Sequence, residues 1–539
     1  MEITTSEFKL AVEEWRQALG AQHVLVSPEA IDSYGANTNA LTRKIIGVIR
    51  PSNTPEVQTL VRIANKYRIP LYPISGGRNW GYGSRLPVRN GAVIVDLARM
   101  NRVRNEGKIT VSAHYALIEP GVTQGQLASL LTQYDLPLVL NATAAGADTS
   151  VLGNSLDRGF GYFAMRPDDI TGLEVVLGNG EILQTGYGHY ENAAMANLYK
   201  HGLGPALDGL FFQSNFGIVT CATLHLHPKR EAHVTLVAKL RDERDFEPFI
   251  DAIADLRRQT LLESVVHIGN RSRMASTLGP LIYNFLVSQG EQPCAGLREK
   301  TEAILSREKF ASWTAVGGVY GTAGEVTAKV SAIKRRLKKL CTVSTITKRK
   351  LNLADSVLRC FGRAALNRRA MLQGAKALVD FSSGTPSDGA LLSPLWALGD
   401  SPLGAGCNLD DTRAGILFCP PAIPLDGKAA REAVACGEAI FIKFGFKPLL
   451  TLNVVNTKTI LCVQNLVFDR NNAEQATAAH RCIDATFEAW AKMGIYPYRL
   501  GIQSMEQFIS ASDPFWQTVQ SLKKALDPND VIAPGRYSL

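Results

Sequence analysis

Four glycines crowd the stretch Pro73-Ile74-Ser75-Gly76-Gly77-Arg78-Asn79-Trp80-Gly81-Tyr82-Gly83, and a loop of that make-up is equipped to hold an anion. Glycine tolerates positive φ and carries no Cβ, so successive backbone N–H groups can close into a concave nest shaped for pyrophosphate oxygens. Arg78 adds a positive charge at the same place. Composition alone leaves two readings side by side, a phosphate cradle and an ordinary glycine-rich turn. Other patterns are less promising. His189 and His201 stand alone, with no Cys, Ser or carboxylate at the spacing of a nucleophile and its base. No His-x-x-x-His pair or acidic cluster marks a metal site, and His225 and His227 alternate on one strand face as structural side chains.

The loop needs rigid neighbours, and the sequence supplies them. Pro51-Ser52-Asn53-Thr54-Pro55-Glu56 predicts a helix start with Thr54 as N-cap and Pro55 in the first turn, followed by Val57, Leu60, Val61, Ala64 and Tyr67 at helical spacing. Ala92-Val93-Ile94-Val95-Asp96-Leu97 reads as a buried strand, and Thr123-Gln124-Gly125-Gln126 as a capping box that opens a helix through Leu131. After His225-Leu226-His227-Pro228 the pattern changes. Strand-like runs such as Val234 to Ala238 alternate with helical stretches, Phe246 to Leu262 and Ala429 to Phe444 among them, which predicts an antiparallel sheet covered by helices and an α+β fold. The Pro/Ser/Gly-rich section from Ser382 to Gly406 reads as a long loop over the active site or at a subunit contact.

At 539 residues the chain exceeds the usual size of one core, so two or three domains are expected. Hydrophobic residues at 46% and charged residues at 20% describe a folded chain and exclude disorder. Lys plus Arg exceed Asp plus Glu by 58 to 49, and the resulting net charge of +9 is modest over so large a surface. The densest basic cluster, Lys334-Arg335-Arg336 with Lys338-Lys339 and then Lys348-Arg349-Lys350, is interleaved with Val330, Ile333, Leu337 and Leu340. That spacing is the solvated face of an amphipathic helix rather than a nucleic-acid patch, so no nucleic-acid partner is expected. Nine cysteines without a CxxC pair read as reduced core thiols. No basic segment followed by an apolar run opens the sequence, and no stretch nears the ~18 consecutive apolar residues of a membrane span; a cytoplasmic location is the default expectation.

Further blocks follow the glycine loop: Glu119-Pro120-Gly121-Val122, Gly153-Asn154-Ser155-Leu156-Asp157-Arg158-Gly159-Phe160-Gly161-Tyr162, Gly172 to Leu177, Gly204 to Phe211, Gln213 to Thr220, and Asp527 to Arg536. In this order, spread over nearly the whole chain, they resemble the vanillyl-alcohol oxidase and para-cresol methylhydroxylase family. The resemblance implies an FAD-binding domain formed by residues 1–231 and 497–539 and a cap domain of residues 232–496. It places FAD against Ser75, Gly76, Gly77, Arg78, Asn79 and Gly81 of the first loop. Further cofactor contacts are implied at Pro120, Gly121, Gly146 and Ser150, at Gly153, Asn154, Gly161 and Tyr162, and at Gly217, Ile218, Val219 and Arg536.

The implied chemistry is oxidation of a para-substituted phenol, with hydride transfer from the benzylic carbon to flavin N5 through a quinone methide; the alternatives are a flavoprotein of the same superfamily acting on a non-phenolic alcohol and a flavin-binding homologue without turnover. In the family two tyrosines and an arginine bind the substrate oxygen as phenolate, and the matching residues here are Tyr82, Tyr498 and Arg499. Two phenolic donors and a guanidinium aimed at one oxygen favour its anion by charge-assisted hydrogen bonds. The resemblance further implies a small aromatic substrate, O2 or a protein as electron acceptor, and a homo-oligomer. Two departures stand out. Gly415 occupies the place of the histidine that covalently holds the flavin in vanillyl-alcohol oxidase, so non-covalent FAD is expected; Cys419 nearby reads as a small buried residue. In addition, Phe163-Ala164-Met165-Arg166-Pro167-Asp168-Asp169 is shorter than the family's version, leaving Asp168, with Asp169 behind it, as the expected carboxylate near flavin N5. Either aspartate serves equally well as a cap for the next element, the commoner use of a Pro-Asp pair.

Overall fold

A computed structural model describes residues 5–308, 310–400 and 406–539. Three short buried runs, Ile45–Ile49, Ala92–Asp96 and Leu71–Ile74, line up as parallel strands, with Leu71 opposite Val93 and Ile74 opposite Asp96. Ala92 to Asp96 is buried at every position, the uninterrupted apolar run that a strand covered on both faces requires. The helix Thr54–Tyr67 makes the crossover, and its start differs from expectation by one residue. Asn53 is the N-cap, its side-chain oxygen accepting from Glu56 N at 3.0 Å, which puts Thr54 inside the helix. Thr123 does cap its helix, Gln124–Gln133, by accepting from Gln126 N. A second four-stranded sheet, antiparallel, orders Tyr115–Ile118, Gly217–His225, Ile170–Leu177 and Ile182–Gln184.

The C-terminus returns to this half. Leu71 N donates to Val531 O and Ala533 N to Leu71 O, both at 2.7 Å, so the last residues clamp the strand that feeds the glycine loop. Lys523, 1% exposed, fixes the turn by donating to Asn215 O, Asp527 Oδ2 and Ile532 O. A buried ammonium is tolerated because a carboxylate and two carbonyls replace its water.

Between these parts lies one nine-stranded antiparallel sheet, running from Cys341–Ile346 at one edge to Tyr496–Pro497 at the other. Its strands begin at Ala232 and reach Pro497, one residue beyond the expected 496 boundary. Alternation sorts side chains to two faces. In the central strand Thr459–Asp469, Cys462 and Leu466 join the core under the helices Phe246–Arg258, Gly427–Lys443 and Ala473–Ala491, while Val463 and Asn465 face the other way, into a cavity. Each fully buried leucine or isoleucine in that core contributes ~2 kcal/mol, which holds the sheet as a rigid wall. Of the basic cluster, Lys334, Arg335 and Arg336 end the helix Ala323–Leu337, in which Val326, Ile333 and Leu337 are buried, Lys338 and Lys339 follow it, and Lys348 to Lys350 open the next helix, Lys348–Arg359; all eight cations are exposed.

The expected loop from Ser382 to Gly406 contains a short helix, Ser393–Ala397, whose Leu395 shares an apolar cluster with Trp80 of the glycine loop; residues 401–405 lie outside the described residues. Among the described residues no helix is long and apolar enough to cross a membrane, and no group of three or more His, Cys, Asp or Glu side chains is placed to hold a metal ion.

Candidate active site

A cavity of about 380 Å³ runs between the two small sheets and the cavity-facing side of the large one. At one end the loop after Leu71–Ile74 contributes Ser75, Gly76, Gly77, Arg78 and Asn79. The amides of Gly76, Gly77, Arg78 and Asn79 donate to no protein acceptor among the described residues. Buried or half-buried N–H groups left open in this way need an acceptor from a ligand. Gly77 has φ +69°, and nothing lies within 4 Å of a Cβ built on Gly76, so the loop is curled around open space. Opposite, Ser150 caps the short helix Val151–Leu156, and Gly153 is so close to Ser75 that a Cβ there would meet its Oγ at 2.7 Å. Asn154, Asn215 and Asn465 each line the cavity with a buried Oδ1 that has no partner. Arg78 of the loop is paired with Asp148 at 3.1 Å, and the open amides together with the unpaired carboxamide oxygens of the cavity fit a long dinucleotide with a polar ring system.

Of the cofactor residues expected from the sequence, Pro120, Gly217, Ile218, Val219 and Arg536 also line this cavity. Gly81, Gly121, Gly146, Gly161 and Tyr162 do not, and the reason is packing. Gly81, at φ +76°, lies under Phe418, and its N–H goes to Thr38 Oγ1. Gly121 is pressed on the carbonyls of Ala98 and Met100, Gly161 on that of Ala142, and Gly146 against Leu391, so each shapes a loop without facing the void. Tyr162 packs edge-on against Phe381 under the large sheet.

Beside this loop, side chains from two distant stretches of the sequence meet, and Arg499 Nη2 donates to Asn79 Oδ1 of the loop at 2.5 Å. Arg499, 8% exposed, lays its guanidinium over the Tyr82 ring, with Cζ 4.0 Å from the centroid. Tyr82 and Arg499 line the cavity; Tyr498 does not, but it packs with Phe160 and Leu461, hydrogen-bonds to Tyr82 and feels the charge of Arg499. Burial pushes the Tyr82 hydroxyl well above its ordinary range and that of Tyr498 up to about 12, so both remain protonated donors at neutral pH. Phe418 stacks on Tyr82 with centroids 4.9 Å apart and fixes the ring.

The residue that organises this cluster, Asp157, is one that sequence reading did not single out. It accepts from Arg499 Nη2 at 2.7 Å through one oxygen and pairs with Arg536 through the other. Burial favours its neutral acid, but the two guanidiniums outweigh burial and hold the carboxyl below its usual range. Two positive charges against one negative leave a net positive charge facing the cavity. Arg499 Nε is buried without a partner, so a donor remains for a ligand. Asp157 falls within the stretch Gly153 to Tyr162, but its partners are 342 and 379 positions away, beyond any local signal.

Asp168 is not brought to the cavity. It is exposed on the turn Arg166–Asp169, and its carbonyl accepts from Lys200 Nζ. The buried aspartate of the pair, Asp169, is bound to His227 Nε2 at 3.0 Å and Asn141 Nδ2 at 2.9 Å. The Asp169 carboxylate ties the turn down, Asp168 contributes only its backbone carbonyl, and Arg166 beside them is buried against Gln124. Asp410 is another carboxyl with no sequence signal. Although accepting from Ser84 Oγ, it is pushed up to about 6 by burial, and its other oxygen is unpartnered.

Gly415 also lies off the cavity. A Cβ there would meet the Phe468 ring at 2.5 Å, on the face opposite Ile416 and Phe418. The residues of this strand that do face the cavity carry no nucleophile, and Cys419 is fully buried in the core behind them with its thiol pushed up by burial.

Residues 45–186 match the model of an FAD binding domain. Over 99% of its length the chain is 34% identical to 1'-carboxy-chondrochloren decarboxylase of Chondromyces crocatus, covering 98% of that protein. It is 27% identical over its full length to the 4-cresol dehydrogenase [hydroxylating] flavoprotein subunit of Pseudomonas putida, covering 96% of that protein. The crystal structure of p-cresol methylhydroxylase with substrate bound superposes with a TM-score of 0.83 at 26% identity, over 100% of this chain and 98% of that one. An open-amide nest, an FAD-domain match and end-to-end likeness together give one answer: the chain belongs to the para-cresol methylhydroxylase and vanillyl-alcohol oxidase family of FAD-dependent oxidoreductases.

Proposed function

We propose that this flavoprotein oxidises the benzylic carbon of a para-substituted phenol, bound as its phenolate by Tyr82, Tyr498 and Arg499. The observation that carries this reading is the position of the Arg499 guanidinium, 4.0 Å over the Tyr82 ring and bordering the cavity with Nε free. An ordinary phenol has a pKa of about 10 and is neutral at pH 7. Two protonated tyrosines and a buried cation stabilise its anion, and the anion's charge eases loss of hydride from the para carbon. Bound FAD supplies the hydride acceptor. Asp157 keeps Arg499 in place and, by pairing with Arg536 as well, leaves this part of the cavity wall cationic.

The cavity-facing residues Ile416 and Phe418 have no group that attaches to a flavin, so FAD is held without a covalent bond; acid precipitation leaves it in the supernatant, and a yellow pellet overturns this. Residues 1–231 with 497–539 act as the cofactor half and 232–496 as the cap. Adding a 4-alkylphenol to the yellow protein without oxygen bleaches it; no bleaching with any phenol refutes the reading.

Another outcome of the same oxidation is favoured by the relative named as a decarboxylase. After hydride leaves the benzylic carbon, a carboxylate on the adjacent carbon departs as CO2. Its bonding pair becomes the new C=C bond and the quinone methide returns to phenolate. No water is consumed, in contrast to hydroxylation of the same intermediate.

A further inference from the structure

We propose that Arg273 is a specificity residue that binds a carboxylate on the substrate's side chain, so that the preferred substrate is a 4-hydroxyphenyl compound bearing an acid. This rests on the phenol reading above and names the substrate class within it.

Arg273 stands in the first turn of the helix Arg271–Ser288, where Asn270 caps its backbone N–H at 2.9 Å. It lines the cavity from the cap side. Its nearest polar partner is Ser393 Oγ at 3.4 Å, a neutral hydroxyl that is itself bonded to Ser276. Among the described residues no carboxylate lies within salt-bridge distance of it, whereas Arg499 and Arg536 share Asp157. Cations held inside proteins are paired, and one that is not needs an anion from elsewhere. Burial alone draws the guanidinium down to about 10, still charged at neutral pH.

The surroundings suit the non-phenolic part of such a substrate. Leu391, Pro394 and Val463 line the cavity as apolar wall. Outside this lining, His267 packs against Phe160, with ring centroids 6.2 Å apart. His267 feels the charge of Arg273 and is drawn to about 4, chiefly by burial, so it stays neutral and does not compete for the anion. A phenolate at Tyr82, Tyr498 and Arg499, an apolar wall of Leu391, Pro394 and Val463, and the cation of Arg273 together describe a molecule with two anionic groups separated by an apolar span.

The test uses the purified holoenzyme and two ligands with no benzylic hydride to give: 4-hydroxycinnamate and its neutral amide. Perturbation of the flavin spectrum reads binding of each to wild type, Arg273→Met and Arg273→Lys. We expect the acid to bind wild type more tightly than the amide. Arg273→Met should weaken the acid by roughly 10- to 100-fold, the range of a charged hydrogen bond, and leave the amide within about threefold. Arg273→Lys should recover part of the loss. Equal binding of acid and amide to wild type overturns the proposal, as does an equal loss of both in Arg273→Met, or a fall in FAD content that would place the arginine on the cofactor. Bleaching by 4-ethylphenol without acid preference defeats this inference alone; acid preference without bleaching by any phenol defeats the phenol reading alone.

Discussion

Two adjoining parts of the cavity wall are built in opposite ways. The glycine loop is a local device, since the open amides of Gly76 to Asn79 and the positive φ of Gly77 come from consecutive residues. The substrate site is assembled from Tyr82, Asp157, Arg499 and Arg536, which the chain brings together from widely separated positions, and from Phe418 and Arg273 of the large sheet and its helix. A local device tolerates change elsewhere and fails when its own backbone is altered. An assembled one depends on charges that compensate one another.

Breaking that compensation should give the largest effect. Asp157→Ala leaves Arg499 and Arg536 buried without their shared anion, and losing one partner of a buried ion pair costs about 3–5 kcal/mol. The thermal unfolding temperature should fall markedly, and a stability within about 1 kcal/mol of wild type would mean that water enters freely. Arg499→Ala should act on chemistry, slowing flavin reduction by about 10²- to 10³-fold, in the range for one removed charge-stabilising donor, with FAD content unchanged. Equal losses of rate and FAD would assign the arginine to the cofactor site.

Asp410 sharpens the comparison through pH. Its carboxyl is 1% exposed and raised from an ordinary 3.8 to about 6 by burial, so the folded state holds the proton more tightly than the unfolded one. Its contribution is fully present below pH 3.8 and is lost as pH rises through about 6, at most about 3 kcal/mol. Asp410→Asn should therefore gain stability relative to wild type between about pH 4 and pH 7, measured by urea unfolding; a constant difference would refute the assignment. The smallest effect is expected at the glycine loop. Gly77→Ala at φ +69°, with its Cβ against the flexible Arg85 side chain, should weaken FAD by about 1–2 kcal/mol and leave the reduction rate of FAD-loaded enzyme unchanged.

The same contrast explains what was legible in the sequence. The glycine loop, the strand Ala92–Asp96 and the capped helix from Thr123 are short-range patterns and could be read directly, as could the alternation of strands and helices after Pro228. Asp157 and Arg273 gave no signal. Asp157 is defined by partners more than 340 residues away, and Arg273 resembles any arginine at a helix start. Asp168 misled for a related reason: Pro-Asp-Asp fixes a turn, but which of the two carboxylates points inward depends on His227 and Asn141. Gly415 was misplaced because one residue of strand register decides which face it joins, and Phe468 occupies that face.

The central claim is that the substrate's oxygen must be an anion held by Tyr82, Tyr498 and Arg499. Anaerobic stopped-flow reduction with 4-ethylphenol and with its methyl ether, which matches it in shape but cannot ionise, tests this most directly. Flavin bleaching by the phenol and none above background by the ether is the predicted result; comparable rates for the two would contradict it.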